Sequence, residues 1–300
     1  MPAKQLPAGA GPLIALLCGA VGIGFAPIFV RLSEVGPSAT ACYRLLLALP
    51  FFWVWLQTEP AETVKRPTGL ALVISGAFFA ADLAVWHWSI ELTSVANATL
   101  LANFAPIFVV LGSWLLWGQR CSRSFFGAVV LVLVGACLLV SASVELDAQH
   151  LWGDALGLLT AVFYAGYMLS VARLRLQFST VVVSFWTSLV GGGLLLLIAA
   201  AAGEQIVPTT LQGWLVLVAL ALISQVLGQS LIIYALAHLP TAFSSLSLLL
   251  QPVVAALLAW AFFNEALGLW QGVGGMIVLL GIVWARRTTA APAQLSGSME

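Results

Sequence analysis

The chain has 300 residues, of which 62% are hydrophobic and only 7% are charged. A soluble domain carries about 25% charged residues, so this composition excludes a water-soluble fold and indicates an integral membrane protein. The formal net charge at pH 7 is zero, which leaves no electrostatic basis for binding nucleic acid.

Ten apolar segments follow one another along the chain, each close to the ~20 residues that cross a bilayer as a helix. The first has no charged residue between Pro12 and Val30. Because this run is too long for the apolar core of a signal peptide, we expect an uncleaved span. Short links rich in proline, glycine or charge separate the segments and leave no room for a domain outside the membrane. The predicted spans lie at about residues 12–31, 37–56, 68–90, 95–117, 124–142, 151–172, 179–202, 211–236, 241–263 and 268–285.

Basic residues are strongly segregated among the links. If the N-terminus is cytoplasmic, Arg31 is the only basic residue predicted on the outer side, and Arg44 lies within the second span. Such a bias orients membrane proteins with their basic links inside, so we predict that both termini are cytoplasmic. Acidic residues then face outward, at positions 145, 147, 154, 204 and 265. The basic residues predicted to be cytoplasmic are Lys4, Lys65, Arg66, Arg120, Arg123, Arg173, Arg175, Arg286 and Arg287.

The two halves of the chain resemble each other. A shift of 146 residues brings the fourth and fifth spans onto the ninth and tenth, and it pairs Pro106 with Pro252, Trp114 with Trp260, and Gly135 with Gly281. Five spans per half reverse the orientation of the second half, which is the inverted repeat of many transporters. The runs lack the alternation of barrel strands. We therefore predict an all-α integral membrane fold of ten transmembrane helices, with one repeat at 1–146 and its inverted partner at 147–300.

Four stretches carry a family resemblance: GFAPIFVRL, GPSATACYRLLLALP, SVANATLLANFAPIFVVLGSWLLWGQR and LPTAFSSLSLLLQPVVAALLAWAFFNEALGLWQGVGGMIVLLG. They resemble the EamA-type branch of the drug/metabolite transporter superfamily over residues 12–286. Within it the chain looks most like bacterial aromatic amino-acid exporters of the YddG type. The resemblance implies secondary transport of small metabolites across the bacterial inner membrane. Glu265 stands where the family tends to place an acidic residue, whereas Gln119 occupies the matching place in the first half.

Three prolines are candidate hinges. Pro106 and Pro252 fall at the centres of their spans, and Pro27 lies beside two glycines in the first span. A proline inside a helix lacks the N–H donor and displaces the preceding turn. Broken backbone at mid-membrane depth is tolerated where protein or a wet cavity satisfies it. The alternative is a plain kink that only shapes packing.

Polar residues inside the spans supply the candidate substrate-binding site. Several share a helical face, such as Ser244 and Gln251 in the ninth span or Tyr164 and Tyr167 in the sixth. Such residues normally face other helices, where they line a cavity or only hold helices together. Tryptophans near span ends are explained by the membrane interface. The candidate set is Tyr43, Asp82, Trp86, His87, Asn103, Tyr164, Tyr167, Gln225, Ser244 and Gln251.

Two opposite charges lie within the predicted spans. Asp82 is the only acid well inside a span, and Arg44 is the only buried base. A charge at mid-membrane costs about 2.5–3.5 kcal/mol on insertion scales, so each needs a reason. The pair suits a zwitterionic substrate, whose ammonium and carboxylate need separate partners, but it also suits a structural ion pair.

We predict an exporter or facilitator of small, largely apolar zwitterionic metabolites, with aromatic amino acids as the first candidates. Tyr164, Tyr167 and Trp86 would stack on the substrate, and Asn103 and Gln251 would bond its polar end. The alternatives are a proton-coupled exporter of another metabolite or drug, in which Asp82 titrates, and a lipid-modifying enzyme. Scattered histidines and the lack of a catalytic motif argue against the enzyme. The partners expected are the small-molecule substrate and the bilayer. Neither a cofactor nor a metal is expected, and the oligomeric state stays open, with a monomer compatible.

Overall fold

A computed structural model of the chain describes residues 10–59, 69–93, 95–119, 121–140, 151–263 and 268–290. These residues form helices without a strand. Nine helical segments found there, some of them composed of two consecutive helices, are long and apolar enough to cross a membrane, and a shorter apolar helix at 123–139 corresponds to the predicted fifth span. The predicted all-α fold of ten spans is therefore confirmed. Several residues used to orient the chain or compare its halves lie outside the described residues: Lys4, Lys65, Arg66, Arg120, Glu145, Asp147 and Glu265.

The spans follow the predicted order closely. Five of them are single helices: the third at Gly69–Leu92, the fifth at Arg123–Val140, the sixth at Leu151–Leu174, the seventh at Thr180–Ala201 and the tenth at Leu269–Ala290. Large apolar side chains cover much of the outer surface, as at Leu70, Leu115, Trp152 and Leu197. An apolar surface of this extent is stable only against lipid.

Four other spans are broken near their middle. The first consists of Ala10–Gly24 and Ala26–Arg31, the second of Pro37–Leu46 and Leu49–Gln57, the fourth of Val95–Ala102 and Ala105–Trp117, and the ninth of Thr241–Ser247 and Leu250–Phe263. A proline follows each break within the first turn of the new helix, where its missing N–H costs least. The breaks occur at Pro27, Pro106 and Pro252 as predicted, and an unforeseen fourth break precedes Pro50.

The eighth span changes its helix type at mid-membrane. It begins as an α-helix at Leu211–Ala219, winds as a π-helix at Leu220–Gln229 and returns to an α-helix at Ser230–Leu236. A π-helical segment is rare and is frequently found at functional sites. This one carries two glutamines whose side chains point into the interior, Gln225 and Gln229, both almost fully buried.

Glycines set how closely the first and eighth spans approach. A Cβ atom at Gly19 would lie 2.8 Å from the carbonyl oxygen of Gly228, and one at Gly22 would lie 3.1 Å from the Cα atom of Gly228. Backbones that meet this closely need small residues at the contact. The π-helix is therefore packed directly against the first span, at the residues that come just before the break at Pro27.

Candidate functional site

A cavity of about 160 Å³ lies among the broken spans. Its volume is several times that of one water molecule. Residues of the first, second, third, fourth, sixth, eighth and ninth spans contribute to its wall. The polar and aromatic part of the wall consists of Arg44, Phe79, Asp82, Trp86, Thr99, Asn103, Thr160, Tyr164, Gln229 and Gln251.

The third span supplies two of these side chains from one face. Asp82 and Trp86 are one helical turn apart, so both reach the cavity. The same face continues toward the C-terminal end of the span to Ser89, whose hydroxyl donates to the Gly153 carbonyl oxygen (2.7 Å). One turn further, the Thr93 hydroxyl donates to the Asp154 carboxylate (2.8 Å). The C-terminal end of this face therefore joins the third span to the sixth, and its middle faces the cavity.

A residue of the eighth span, Gln225, forms a hydrogen bond with the Arg44 side chain. Arg44 is only 8% exposed, and its Nε donates to the Gln225 Oε1 atom (3.2 Å). The Gln225 amide nitrogen donates in turn to the Ser188 hydroxyl of the seventh span (3.1 Å). The guanidinium carbon lies 5.8 Å from the centre of the Phe79 ring, a distance at which a cation is attracted to the face of an aromatic ring.

Asp82 is also 8% exposed and lines the same cavity. Among the residues that the structure describes, its carboxylate forms neither a hydrogen bond nor an ion pair, with Arg44 or any other group. The structural ion pair that the sequence left open is thus not formed. Arg44 and Asp82 instead line one cavity without forming an ion pair with each other.

Stacked aromatic rings build one wall. The Phe79 ring lines the cavity, and the Tyr167 ring stacks on it with 4.4 Å between the ring centres. Tyr167 is fully buried, and its hydroxyl accepts a hydrogen bond from the Gln229 amide nitrogen (3.0 Å). Tyr164 lies beside it, with the ring centres 6.3 Å apart. Tyr167 therefore supports the wall from behind, whereas Tyr164 and Phe79 form its surface.

Two amide groups at the cavity carry free donors. The Nδ2 atom of Asn103 and the Nε2 atom of Gln251 are buried and have no hydrogen-bond partner among the described residues. Asn103 lies in the break of the fourth span, and Gln251 is the second residue of the second helix of the ninth. Because a buried donor without a partner costs about 1–3 kcal/mol, these atoms are suited to a polar ligand.

The structure divides the predicted site residues into two groups. Asp82, Trp86, Asn103, Tyr164 and Gln251 line the cavity, together with the prolines at 27 and 252. Five other predicted residues do not line it, and neither does the buried Pro106. Those five are Tyr43, His87, Tyr167, Gln225 and Ser244.

The residues away from the wall have other surroundings. Tyr43 packs edge-on against the Trp214 ring, with 5.5 Å between the centres. The His87 ring meets the Trp86 ring edge-on, with 5.1 Å between the centres, and its Nδ1 lies 2.5 Å from the Leu83 carbonyl oxygen. Ser244 is completely buried. Helical spacing predicted that Tyr167, Gln225 and Ser244 face the interior, and all three are fully buried, but it did not distinguish the cavity from its packed surroundings.

Five polar or aromatic wall residues were not in the predicted set: Arg44, Phe79, Thr99, Thr160 and Gln229. Arg44 was recognised as a buried base but not placed in the substrate-binding set. Gln229 shares its helical face with Gln225, a signal that could have found it. Phe79 resembles any other apolar residue of a span. In the part of the chain that the structure describes, no three potential metal ligands group together.

Two consecutive segments, residues 11–141 and 151–287, match the EamA-like transporter family. The chain belongs to this family. It is 27% identical over 233 residues to the pseudopaline exporter CntI of Pseudomonas aeruginosa, covering 78% of this chain and 80% of that one. An uncharacterized transporter of Archaeoglobus fulgidus is 26% identical over 275 residues, covering 91% and 95%. A crystal structure shares the fold with a TM-score of 0.78 at 17% identity, covering 93% of this chain and 99% of the other.

Membership of the EamA-like family identifies the protein as a multi-pass membrane transporter and not an enzyme, as predicted. The two matched segments lie on either side of residues 142–150. The cavity receives side chains from both matched segments, for example Asp82 from the first and Gln251 from the second.

Proposed function

We propose that this EamA transporter moves small zwitterionic metabolites with an apolar body, with aromatic amino acids as the leading candidates. One observation carries the proposal. Arg44 and Asp82 line the same cavity without pairing with each other. A buried charge without a partner is costly, and an amino acid brings both missing partners, an ammonium group for Asp82 and a carboxylate for Arg44.

The remaining wall suits the rest of such a molecule. Phe79, Trp86 and Tyr164 offer aromatic surface to an apolar side chain, and rings that stack gain about 0.5–1.5 kcal/mol beyond area burial. The free amide donors of Asn103 and Gln251 are available to the polar end. A ligand pocket of this composition, apolar with a few placed polar groups, is typical of small-molecule sites.

We propose alternating access as the mechanism, with bending at Pro27, Pro106 and Pro252. Support comes from the breaks, which fall at matched places of the fourth and ninth spans, and from the two matched family segments. Five spans in each half invert one repeat relative to the other, which suits this mechanism. We place the protein in the bacterial inner membrane with both termini in the cytoplasm. The name of its relative, the pseudopaline exporter, supports export as the direction.

A second candidate is a proton-coupled exporter of another metabolite. The observation that favours it is the Asp82 carboxylate, which lines the cavity without a hydrogen-bond partner in the described part of the chain. Such a carboxylate is free to bind a proton in place of an ammonium group. The two candidates differ in their response to a pH gradient.

Purified protein in liposomes separates the candidates. We expect vesicles preloaded with tryptophan or phenylalanine to release them faster than protein-free vesicles, with or without an imposed pH gradient. We expect Asp82→Asn to raise the KM at least about tenfold, the loss of one charge-assisted contact. Asp154→Asn is the matched control, because Asp154 lies outside the cavity. The amide oxygen of the substituted asparagine can still accept the hydrogen bond from Thr93.

Each result has a clear meaning. Absence of flux with every aromatic amino acid rejects the substrate class. Flux that requires a pH gradient and loses this requirement in Asp82→Asn favours the proton-coupled candidate. An unchanged KM in Asp82→Asn removes the aspartate from the site.

A further inference from the structure

Arg44 of the second span ends a buried chain of hydrogen bonds. The chain begins at Ser188 of the seventh span and passes through Gln225 of the eighth. Ser188 of the seventh span accepts from the Gln225 amide nitrogen (3.1 Å), and the Gln225 amide oxygen accepts from Arg44 Nε (3.2 Å). Gln225 and Ser188 have no exposed surface. Both ends of the Gln225 amide are thereby satisfied, which fixes its orientation and, through it, the plane of the guanidinium.

The geometry leaves one side of the guanidinium for a ligand. Arg44 Nε is occupied by Gln225, and the Phe79 ring lies beside the guanidinium. The terminal nitrogens form no hydrogen bond within the described part of the chain, and Arg44 is part of the cavity wall. Terminal guanidinium N–H groups match the two oxygens of a carboxylate in a planar, two-bond arrangement.

The π-helix is the element that brings the two glutamines to this place. Gln225 and Gln229 both belong to Leu220–Gln229, where Gln225 holds Arg44 and Gln229 bonds the Tyr167 hydroxyl behind Phe79. One segment therefore sets the position of the cation and of the aromatic ring next to it. Planar recognition depends on orientation, so a small rotation of the guanidinium would cost the second bond to a carboxylate.

We infer that Arg44 forms a carboxylate subsite and that Gln225, held by Ser188, is its positioning residue, an inference that deepens the proposed function and rests on it for the identity of the anion. Gln225 does not touch the ligand. It determines how strongly a carboxylate is preferred over a neutral group of the same shape.

The test uses two probes of the same shape, the anionic 3-phenylpropionate and its neutral amide, 3-phenylpropanamide, in which an NH2 donor replaces one carboxylate oxygen. Their apparent Kd values follow from the rise in the thermal midpoint of the purified full-length protein with probe concentration. We expect wild type to bind the carboxylate at least about tenfold more tightly than the amide, the difference between a charge-assisted and a neutral hydrogen-bonded contact.

Substitutions then separate positioning from general packing. Gln225→Met keeps the length of the side chain but removes the acceptor, so we expect the carboxylate Kd to rise about tenfold and the amide Kd to stay within about twofold. Ser188→Ala is a milder second variant that frees only the far end of the amide. Ser184→Ala is the matched control, one turn away on the same helix, because Ser184 faces Ser230 (3.5 Å) instead of Gln225.

An equal rise of both Kd values in Gln225→Met and in Ser188→Ala means a purely structural role and overturns the inference. Equal binding of the two probes by wild type overturns it as well. If amino-acid flux is absent but the carboxylate preference is present and is lost in Gln225→Met, the inference stands and the proposed substrate fails. If flux is present without that preference, the proposed function stands and the inference fails.

Discussion

The carboxylate of Glu204 accepts a hydrogen bond from the backbone N–H of Ala39 (2.9 Å), which joins the end of the seventh span to the start of the second. Glu34 lies in the loop between the first and second spans and makes the corresponding contact with the loop that leads into the eighth span. Its carboxylate accepts from the backbone N–H groups of Thr209 (3.0 Å) and Thr210 (3.1 Å) at the start of the eighth span. Each carboxylate therefore lies at the N-terminus of a helix, where free N–H groups favour negative charge. The two loops hold each other in place.

Removal of the Glu204 cap should loosen this junction. Glu204→Ala leaves the Ala39 N–H without its acceptor, a loss of about 1 kcal/mol, and we expect the thermal midpoint to fall by about 2–4 °C. Gln205→Ala is the control, since its side chain bonds only within its own loop, to the Val207 carbonyl oxygen (3.3 Å). Equal midpoints for the two variants in a thermal unfolding assay would contradict this assignment.

Glu34 should make the stability of the protein depend on acid. The hydrogen bond from the Thr210 hydroxyl, together with those from the two backbone N–H groups, lowers the pKa of Glu34 below its ordinary value of 4.5. A lowered pKa in the folded state means that the carboxylate stabilises the fold above pH 4.5 and that this contribution is lost as the pH falls through the lowered pKa. We expect wild type to unfold at a higher temperature than Glu34→Gln at pH 7, and the difference to vanish in stronger acid.

Thr210→Val gives an independent check of the acid response. The variant lacks the hydroxyl that contributes most to lowering the pKa of Glu34. The acid-dependent loss of stability should then be smaller than in wild type and should be complete at a higher pH, because the folded-state pKa of Glu34 lies closer to its ordinary value. A midpoint difference between wild type and Glu34→Gln that is the same at every pH would rule out this explanation.

The breaks show which features a sequence determines locally. The breaks at Pro106 and Pro252 could be predicted from the sequence, because a proline lacks the N–H donor that a continuous helix requires, whatever surrounds it. Pro50 obeys the same rule, but a shift of 146 residues places it on Leu196, so the repeat did not single it out. The π-helix around Gln225 packs closely against the first span, and no local pattern predicts it. Phe79 joined the wall for the same reason, since only tertiary packing places its ring beside Arg44.

The fifth and tenth spans should tolerate no added methyl group at their crossing. A Cβ atom at Gly274 would lie 2.4 Å from the backbone nitrogen of Leu139 and 2.6 Å from the carbonyl oxygen of Gly135. Since backbone atoms cannot move aside as a flexible side chain can, Gly274→Ala must separate the helices, at a cost of about 1–3 kcal/mol.

Gly272 is the matched control on the same helix, because nothing lies within 4 Å of its added Cβ atom. We expect Gly274→Ala to lower the thermal midpoint by several degrees and Gly272→Ala to leave it unchanged or slightly raised, since alanine favours a helix over glycine. A thermal midpoint for Gly274→Ala equal to that of the control would show that the two helices leave room for a methyl group at Gly274.

Tyr164 should determine the preference for aromatic over aliphatic substrates. Its ring lines the cavity on the face shared with Tyr167, so Tyr164→Ala removes stacking worth about 0.5–1.5 kcal/mol for an aromatic substrate. A leucine substrate loses less, because it has no ring to stack. The ratio of kcat/KM for phenylalanine to that for leucine should therefore fall about two- to tenfold, as measured in liposomes.

Phe163→Ala is the control for this change in ratio. Phe163 precedes Tyr164 on the sixth span, but its ring packs against Phe78 (6.4 Å between centres) away from the cavity wall. Both variants lose an aromatic ring from the same helix, so a general loss of packing lowers transport of both substrates in each. Only a residue that contacts the substrate changes the ratio. If Tyr164→Ala and Phe163→Ala leave the ratio equally unchanged, Tyr164 does not contact the substrate's apolar part, and the aromatic wall must be assigned to Phe79 and Trp86.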